Sequence, residues 1–260
     1  MCDSKKIKIT VLGSGTSSGV PTIGCDCPVC TSDDSHDKRL RSSILVESAT
    51  TRVLIDTSPD FRQQMLRHNI KSLDAVLFTH SHFDHIGGFD DIRAINYHTH
   101  RPLPIYLNEV TLENLKRTFY YSFEQPEQLG GDVPMVEINI INDRSFRIGD
   151  IDITPIKLLH GKMHVLGYRI NDFAYCVDTN NIPDESYAKL KNLEVLIIDA
   201  LRYTTHPTHF SVAEALSEIE KIKPQQSYLT HIAHQIMHSD LDKKLPGNTN
   251  ISFDGLQIQV

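Results

Sequence analysis

The sequence predicts a mixed α/β protein on two observations. Apolar, β-branched runs ended by turn residues recur along all 260 residues, and helical patterns fall between several of them. In order, the strand-like runs are KIKITVLG, SSILVES, RVLIDT, DAVLFTH, PIYLN, VEINII, DITPIKLL, GYRI, FAYCVDT, LEVLIIDAL, QSYLTH and ISFDGLQIQV. The helical patterns lie near 60–69, 84–97, 111–121, 184–191 and 211–223. In the last of these, Ser211-Val-Ala-Glu214 forms a capping box, Leu216, Ile219 and Ile222 follow at helical spacing, and Pro224 stops the helix. His209 therefore stands just before a helix N-terminus, whose free N–H groups favour a nearby anion.

The absence of an internal repeat or low-complexity linker predicts one domain over 1–260, with a Cys-rich loop at 24–30. Composition is that of a soluble globular chain, 40% hydrophobic and 23% charged, and no apolar run is long enough for a membrane span. The N-terminus runs into a strand without a signal-type apolar region, which gives a cytoplasmic expectation. A formal charge of −7 without a Lys/Arg block disfavours long nucleic acids as partners. Five cysteines are an odd number, and Cys25, Cys27 and Cys30 are too close for a pairing framework, which points to metal binding.

Fourteen histidines gather at 80–85, 160–164, 206–209 and 231–238. The densest group is Thr79-His80-Ser-His82-Phe-Asp84-His85-Ile-Gly87-Gly88, where the strand DAVLF gives way to a helix. In extended chain His80 and His82 project to one side, and as the chain turns Asp84 and His85 point elsewhere. One segment can thus feed two adjacent metals. Further ligands stand where later apolar runs end: His160 after ITPIKLL, Asp178 after FAYCV and His231 after QSYLT. Asp56 ends RVLI and has two readings, an acceptor that orients a ligand or a cap for the helix at Pro59-Asp60-Phe61. The stretch from Gly13 to Gly19 is glycine-rich without nucleotide-binding spacing and reads as a loop bordering the site.

His80, His82, Asp84, His85, His160, Asp178 and His231 match in order the ligand pattern of the metallo-β-lactamase superfamily, which this chain resembles over nearly its whole length. The resemblance implies a four-layer αββα sandwich with a dinuclear site at the edge between two sheets. It assigns His80, His82 and His160 to one metal, Asp84, His85 and His231 to the other, and Asp178 to both. A pair of divalent ions, zinc or manganese with iron a further option, acidifies a shared water and neutralises a phosphoryl or carbonyl oxygen, so hydrolysis is the expected reaction.

Finer stretches, GSGTSSGVP, CDCPVC, LIDTSPDFR, THSHFDHIGG, LLHGK, VDT and THIAHQ, resemble the PhnP-like cyclic phosphodiesterase branch. That implies a small phosphodiester substrate, a ribosyl 1,2-cyclic phosphate or 2′,3′-cyclic nucleotide, with His209 protonating the leaving alkoxide beside the catalytic Asp84 and Asp178. An imidazole suits that general-acid task near neutral pH. His206 is the rival donor, and Lys162, His164 and the aromatic stretch 119–134 are further candidates for the pocket rim. Competing expectations are a tRNA 3′-end processing endonuclease, a thioester or lactone hydrolase that needs no His209, and a non-hydrolytic carrier like the pyrroloquinoline quinone biosynthesis protein B. Homodimerisation is a family-level expectation.

C-x-C-x-x-C lacks one ligand of a closed, structural Cys3His zinc site. His234, three residues after His231, completes it by position, and the resemblance implies the same; Cys2, Cys176, His36 and His238 are rivals.

Overall fold

The structure, a computed structural model, describes residues 6–124 and 133–260. Cys2 and the stretch 125–132, within the aromatic candidate segment, lie outside the described residues. The first six strands are β1 (Lys8–Gly13), β2 (Ser43–Glu47), β3 (Arg52–Ile55), β4 (Ala75–Leu77), β5 (Leu103–Leu107) and β6 (Val136–Ile140). The next seven are β7 (Phe146–Ile148), β8 (Ile151–His160), β9 (Met163–Ile170), β10 (Phe173–Cys176), β11 (Val195–Asp199), β12 (Gln226–Thr230) and β13 (Thr249–Ile251). A last strand, β14 (Gln257–Gln259), returns to the first sheet, so that the two sheets run β14-β1-β2-β3-β4-β5-β6 and β13-β12-β11-β10-β9-β8-β7.

Three buried clusters separate four layers. Ile9, Val46, Val53, Ile153, Tyr168 and Tyr175 fill the space between the sheets. The outer face of the first sheet packs on α1 (Phe61–Arg67), α3 (Ile92–Thr99) and α4 (Glu109–Thr118) through Phe61, Ile92 and Leu115; α2 (Phe83–Ile86) precedes α3. The outer face of the second packs on α5 (Val212–Ile222) through Val212, Ala215 and Ile219, with α6 (His238–Asp242) adding Leu241. This is the αββα sandwich. Strands in its layers alternate faces, so the period-two runs split into core and helix-facing sets. Among the described residues no helix is long and apolar enough to cross a membrane.

Two local expectations change. The helical pattern over 84–97 is broken into α2, a 3-10 turn at Phe89–Asp91 and α3. Gly87 and Gly88 pass so close to the 58–61 segment that a Cβ on Gly88 would lie 2.3 Å from the Ser58 carbonyl oxygen, and close packing overrides helical periodicity. Gly88→Ala is therefore expected to destabilise the fold by about 1–3 kcal/mol in denaturant titrations, because neither backbone can yield. The run ISFDGLQIQV is two strands, one in each sheet, divided by a turn in which Gly255 takes φ +95. The 184–191 pattern is a 3-10 helix over Asp184–Leu190.

Sheet order positions the site. β3, β4, β5 and β6 are parallel neighbours in the first sheet, and β10, β11, β12 and β13 are parallel neighbours in the second. The loops that follow their C-terminal ends gather along one edge, as the parallel order requires.

Candidate metal centre

Ligand-type side chains converge on that edge in three overlapping groups, of which two carry the seven sequence candidates and share Asp178, while the third joins Asp178 and His231 to Asp199 and His209. His80, His82, His160 and Asp178 form the first, Asp84, His85, Asp178 and His231 the second, with ligand atoms of each group within 4.8 Å of one another. Asp178 divides its oxygens between them: Oδ2 lies 3.8 Å from His80 Nε2, while Oδ1 lies 3.1 Å from His85 Nε2 and 3.2 Å from His231 Nε2. All seven sequence candidates are thus brought together, and all but His82 and Asp84 are buried.

Backbone and hydrogen bonds fix these side chains. Asp56, Asp178 and His231, each ending a strand, hold left-handed φ values of 65°, 53° and 61°, a conformation side chains other than glycine's rarely adopt. Asp56 accepts from the Thr79 amide and hydroxyl at 2.8 Å each and from His85 Nδ1 at 2.8 Å. It therefore orients a ligand, and its helix-cap reading falls, since Asp60 occupies the cap position of α1. His160 Nδ1 donates to the Thr208 carbonyl at 2.8 Å. These bonds commit one nitrogen of His85 and His160 and turn the other toward the groups.

Several buried atoms there lack hydrogen-bond partners: His80 Nε2, His85 Nε2, Asp178 Oδ1 and both nitrogens of His231. Such orphans are costly in a folded core unless something completes them. Electrostatics points the same way. Burial opposes a charged imidazole at His85, yet the carboxylates of Asp178, Asp84 and Asp56 hold it well above its ordinary range. Against the same burial penalty, Asp178 drives His231 up to about 9. The carboxylates demand positive charge, and the imidazole and carboxylate donors fit divalent cations that would supply it.

His209 joins this site. Its ring stacks on His231 at 4.7 Å between centroids and meets His160 edge-on at 4.6 Å, one residue from each group. Its Nδ1 donates to Asp199 Oδ2 at 2.7 Å, which leaves Nε2 as the exchangeable nitrogen. Sequence reading missed Asp199, which ends the apolar run LEVLII as Asp56 and Asp178 end theirs; that shared pattern was the available signal. The anion expectation at the start of α5 weakens, because Ser211 and Glu214 already close the capping box there. His206 is half-buried and stands 5.2 Å from the His209 ring, while Lys162 and His164 are exposed on the β8–β9 hairpin. The 13–19 loop does border the site: Thr16 N donates to the Ile232 carbonyl at 3.2 Å and Ile232 N to the Ser14 carbonyl at 3.0 Å. A cavity of about 600 Å³ between α1 and α3 is lined by no member of either group.

A separate cluster joins Cys25, Cys27 and Cys30 to His234, whose Nδ1 lies 3.2, 3.5 and 3.6 Å from the three sulfurs. Tetrahedral bonds to zinc would separate S and N by about 3.6 Å, so the cluster fits that ion. Its thiols differ: a backbone hydrogen bond from Cys30 brings Cys27 down to about 6, whereas burial pushes Cys30 up to about 11. Of the rivals, Cys176 is buried in the second sheet's core, and His36 stacks on His238 instead. Cys25→Ser is expected to lower bound zinc and thermal stability, by more than about 2 kcal/mol, while folded protein retains turnover. Zinc analysis alongside thermal unfolding checks this, and loss of turnover with zinc and folding intact would contradict a structural role.

Residues 51–232 match the Beta-lactamase superfamily domain. The crystal structure of a diphosphatase from the PhnP family superposes with a TM-score of 0.92 at 41% identity, covering 98% of this chain and 97% of that one. Zn(2+)-bound PqqB from Methylobacterium extorquens gives 0.77 at 16% identity over 96% of this chain and 99% of its own, a likeness of fold. The octanoyltransferase of Porphyromonas gingivalis is 40% identical over 255 residues, which are 96% of this chain and 51% of that protein. The chain thus spans about half the length of that relative.

Proposed function

The chain belongs to the metallo-β-lactamase superfamily, on its PhnP-like branch, and on that premise we propose that it is a dinuclear metal-dependent phosphodiesterase opening small cyclic phosphates. The ribosyl 1,2-cyclic phosphate and 2′,3′-cyclic nucleotide types are the leading substrates. One observation carries this reading: His209 is set between His160 and His231 with Nδ1 held by Asp199. An alkoxide is a poor leaving group, and an imidazole so oriented can give it a proton from Nε2. A hydrolase acting only on good leaving groups has no need of that residue.

In this proposal His80, His82 and His160 would hold one ion and Asp84, His85 and His231 the other, with Asp178 a member of both groups. Bound there, the ions would supply an acidified water and neutralise charge on the phosphoryl oxygens. Asp56 keeps Nδ1 of His85 protonated and its Nε2 directed inward. Asp199 does the same for His209, so that one tautomer serves throughout. Cys25, Cys27, Cys30 and His234 would hold a structural zinc, tying the Cys-rich loop to the segment that carries His231.

The 41% identical diphosphatase supports a second reading, cleavage of a phosphoanhydride, whose leaving phosphate needs little protonation. The octanoyltransferase relative supports a third, an acyl thioester. A kinetic panel on metal-loaded protein decides among them: a ribosyl 1,2-cyclic phosphate, a 2′,3′-cyclic nucleotide, a nucleoside diphosphate, an octanoyl thioester and pre-tRNA. Cyclic phosphates are expected to show the highest kcat/KM. Turnover of the thioester or the diphosphate with none of the cyclic phosphates would refute the phosphodiesterase assignment.

A further inference from the structure

A cavity of about 550 Å³ opens along the same edge as the ligand groups, in the size range of about 300–1,000 Å³ typical of small-molecule sites. Asn108 and Asn142 follow the C-terminal ends of β5 and β6, the two strands next beyond β4, whose own end leads into His80. None of the seven ligand residues lines it, so the cavity would extend the site rather than contain it. The opposite wall is Leu159, which precedes His160, and Leu166, whose amide donates to the Thr79 carbonyl at 3.0 Å. His164 stands at the rim, cross-strand from Leu159.

The chemistry of the lining excludes a phosphate. Its cation, Lys157, is already paired with Asp143 at 2.7 Å and approaches Glu185 at 3.8 Å. Ile141, Leu159, Val165 and Leu166 make most of the wall apolar. Two amides punctuate it with defined polarity. Asn108 Oδ1 accepts from the Thr111 amide at 2.8 Å and Asn142 Oδ1 from the Arg144 amide at 2.9 Å, which leaves their NH2 groups as the donors to be met. A saturated acyl chain would leave both donors unsatisfied on burial, at a cost. An uncharged planar heterocycle bearing carbonyl oxygens satisfies donors and apolar walls together.

We propose that this cavity is the specificity pocket of the phosphodiesterase site, receiving the nucleobase of a nucleotide-type cyclic phosphate. The proposal rests on the phosphodiesterase reading and narrows its substrate to one carrying a base. His164→Trp and Asn142→Trp, both at exposed positions outside the ligand groups, fill the pocket from its rim. On metal-loaded protein, each is expected to raise KM for uridine 2′,3′-cyclic phosphate about tenfold or more with kcat kept, the mark of lost uniform binding. Glycerol 1,2-cyclic phosphate, which has no base, should keep both constants within about twofold. Equal effects on the two substrates, or none on the nucleotide, overturn the proposal, as does impairment of an octanoyl thioester alone. If the wild type cleaves neither of these nor a ribosyl 1,2-cyclic phosphate, the phosphodiesterase reading fails, and uridine titrated onto the protein by NMR still decides the pocket. Shifts at Asn108, Ile141 and His164 support it, and their absence refutes it.

Discussion

Asp178→Asn is expected to lower kcat/KM by about 10³-fold or more, some 4 kcal/mol of transition-state stabilisation, together with the content of both ions. Asp178 is the one side chain common to the two ligand groups, with one oxygen toward His80 and the other toward His85 and His231. The amide keeps the shape of the carboxylate and removes its charge, so the change tests electrostatics and not packing. Metal analysis and steady-state kinetics on the same preparation check the result. A variant that retains both ions and a rate within about tenfold of the wild type would show that Asp178 joins no ions.

The second large effect distinguishes leaving groups. His209→Ala is expected to reduce kcat for a cyclic phosphate by about 10²–10⁴-fold, the usual worth of a positioned general acid. A diphosphate, whose leaving group needs less help, should lose under about tenfold. Asp199→Asn should produce a smaller loss, about 10–100-fold, because it loosens the imidazole without removing it. Uniform losses across all leaving groups would instead make His209 a packing residue of the centre.

The candidate site was legible because polar residues interrupting strand ends have few structural reasons to be there. His80, His82, Asp84 and His85 stand out in six positions, and His160, Asp178 and His231 each close an apolar run. Asp199 escaped because a single aspartate after LEVLII is indistinguishable from the end of a buried strand until His209 is seen against it. The strand content was equally legible, but two breaks were not. Gly87 and Gly88 end a helix through contacts with a segment nearly thirty residues upstream, which no local period encodes. The division of ISFDGLQIQV between sheets likewise depends on which partner strand each half meets. The cavity at the ends of β5 and β6 had no sequence signal at all, since its lining comes from several distant segments.

The left-handed backbone at Asp178 and His231 sets catalysis and stability against each other at two named positions. Such a conformation costs a non-glycine residue of order 1 kcal/mol or more. Glycine there would suit the backbone better and remove a buried polar group from a crowded cluster, whereas at Asp56, which shares the conformation, it would orphan the three donors from Thr79 and His85. A search for stabilised variants of this protein is therefore expected to return to Asp178 and His231 and to yield a sturdier fold that has lost its chemistry. Activity, not melting temperature, is the selection that keeps them.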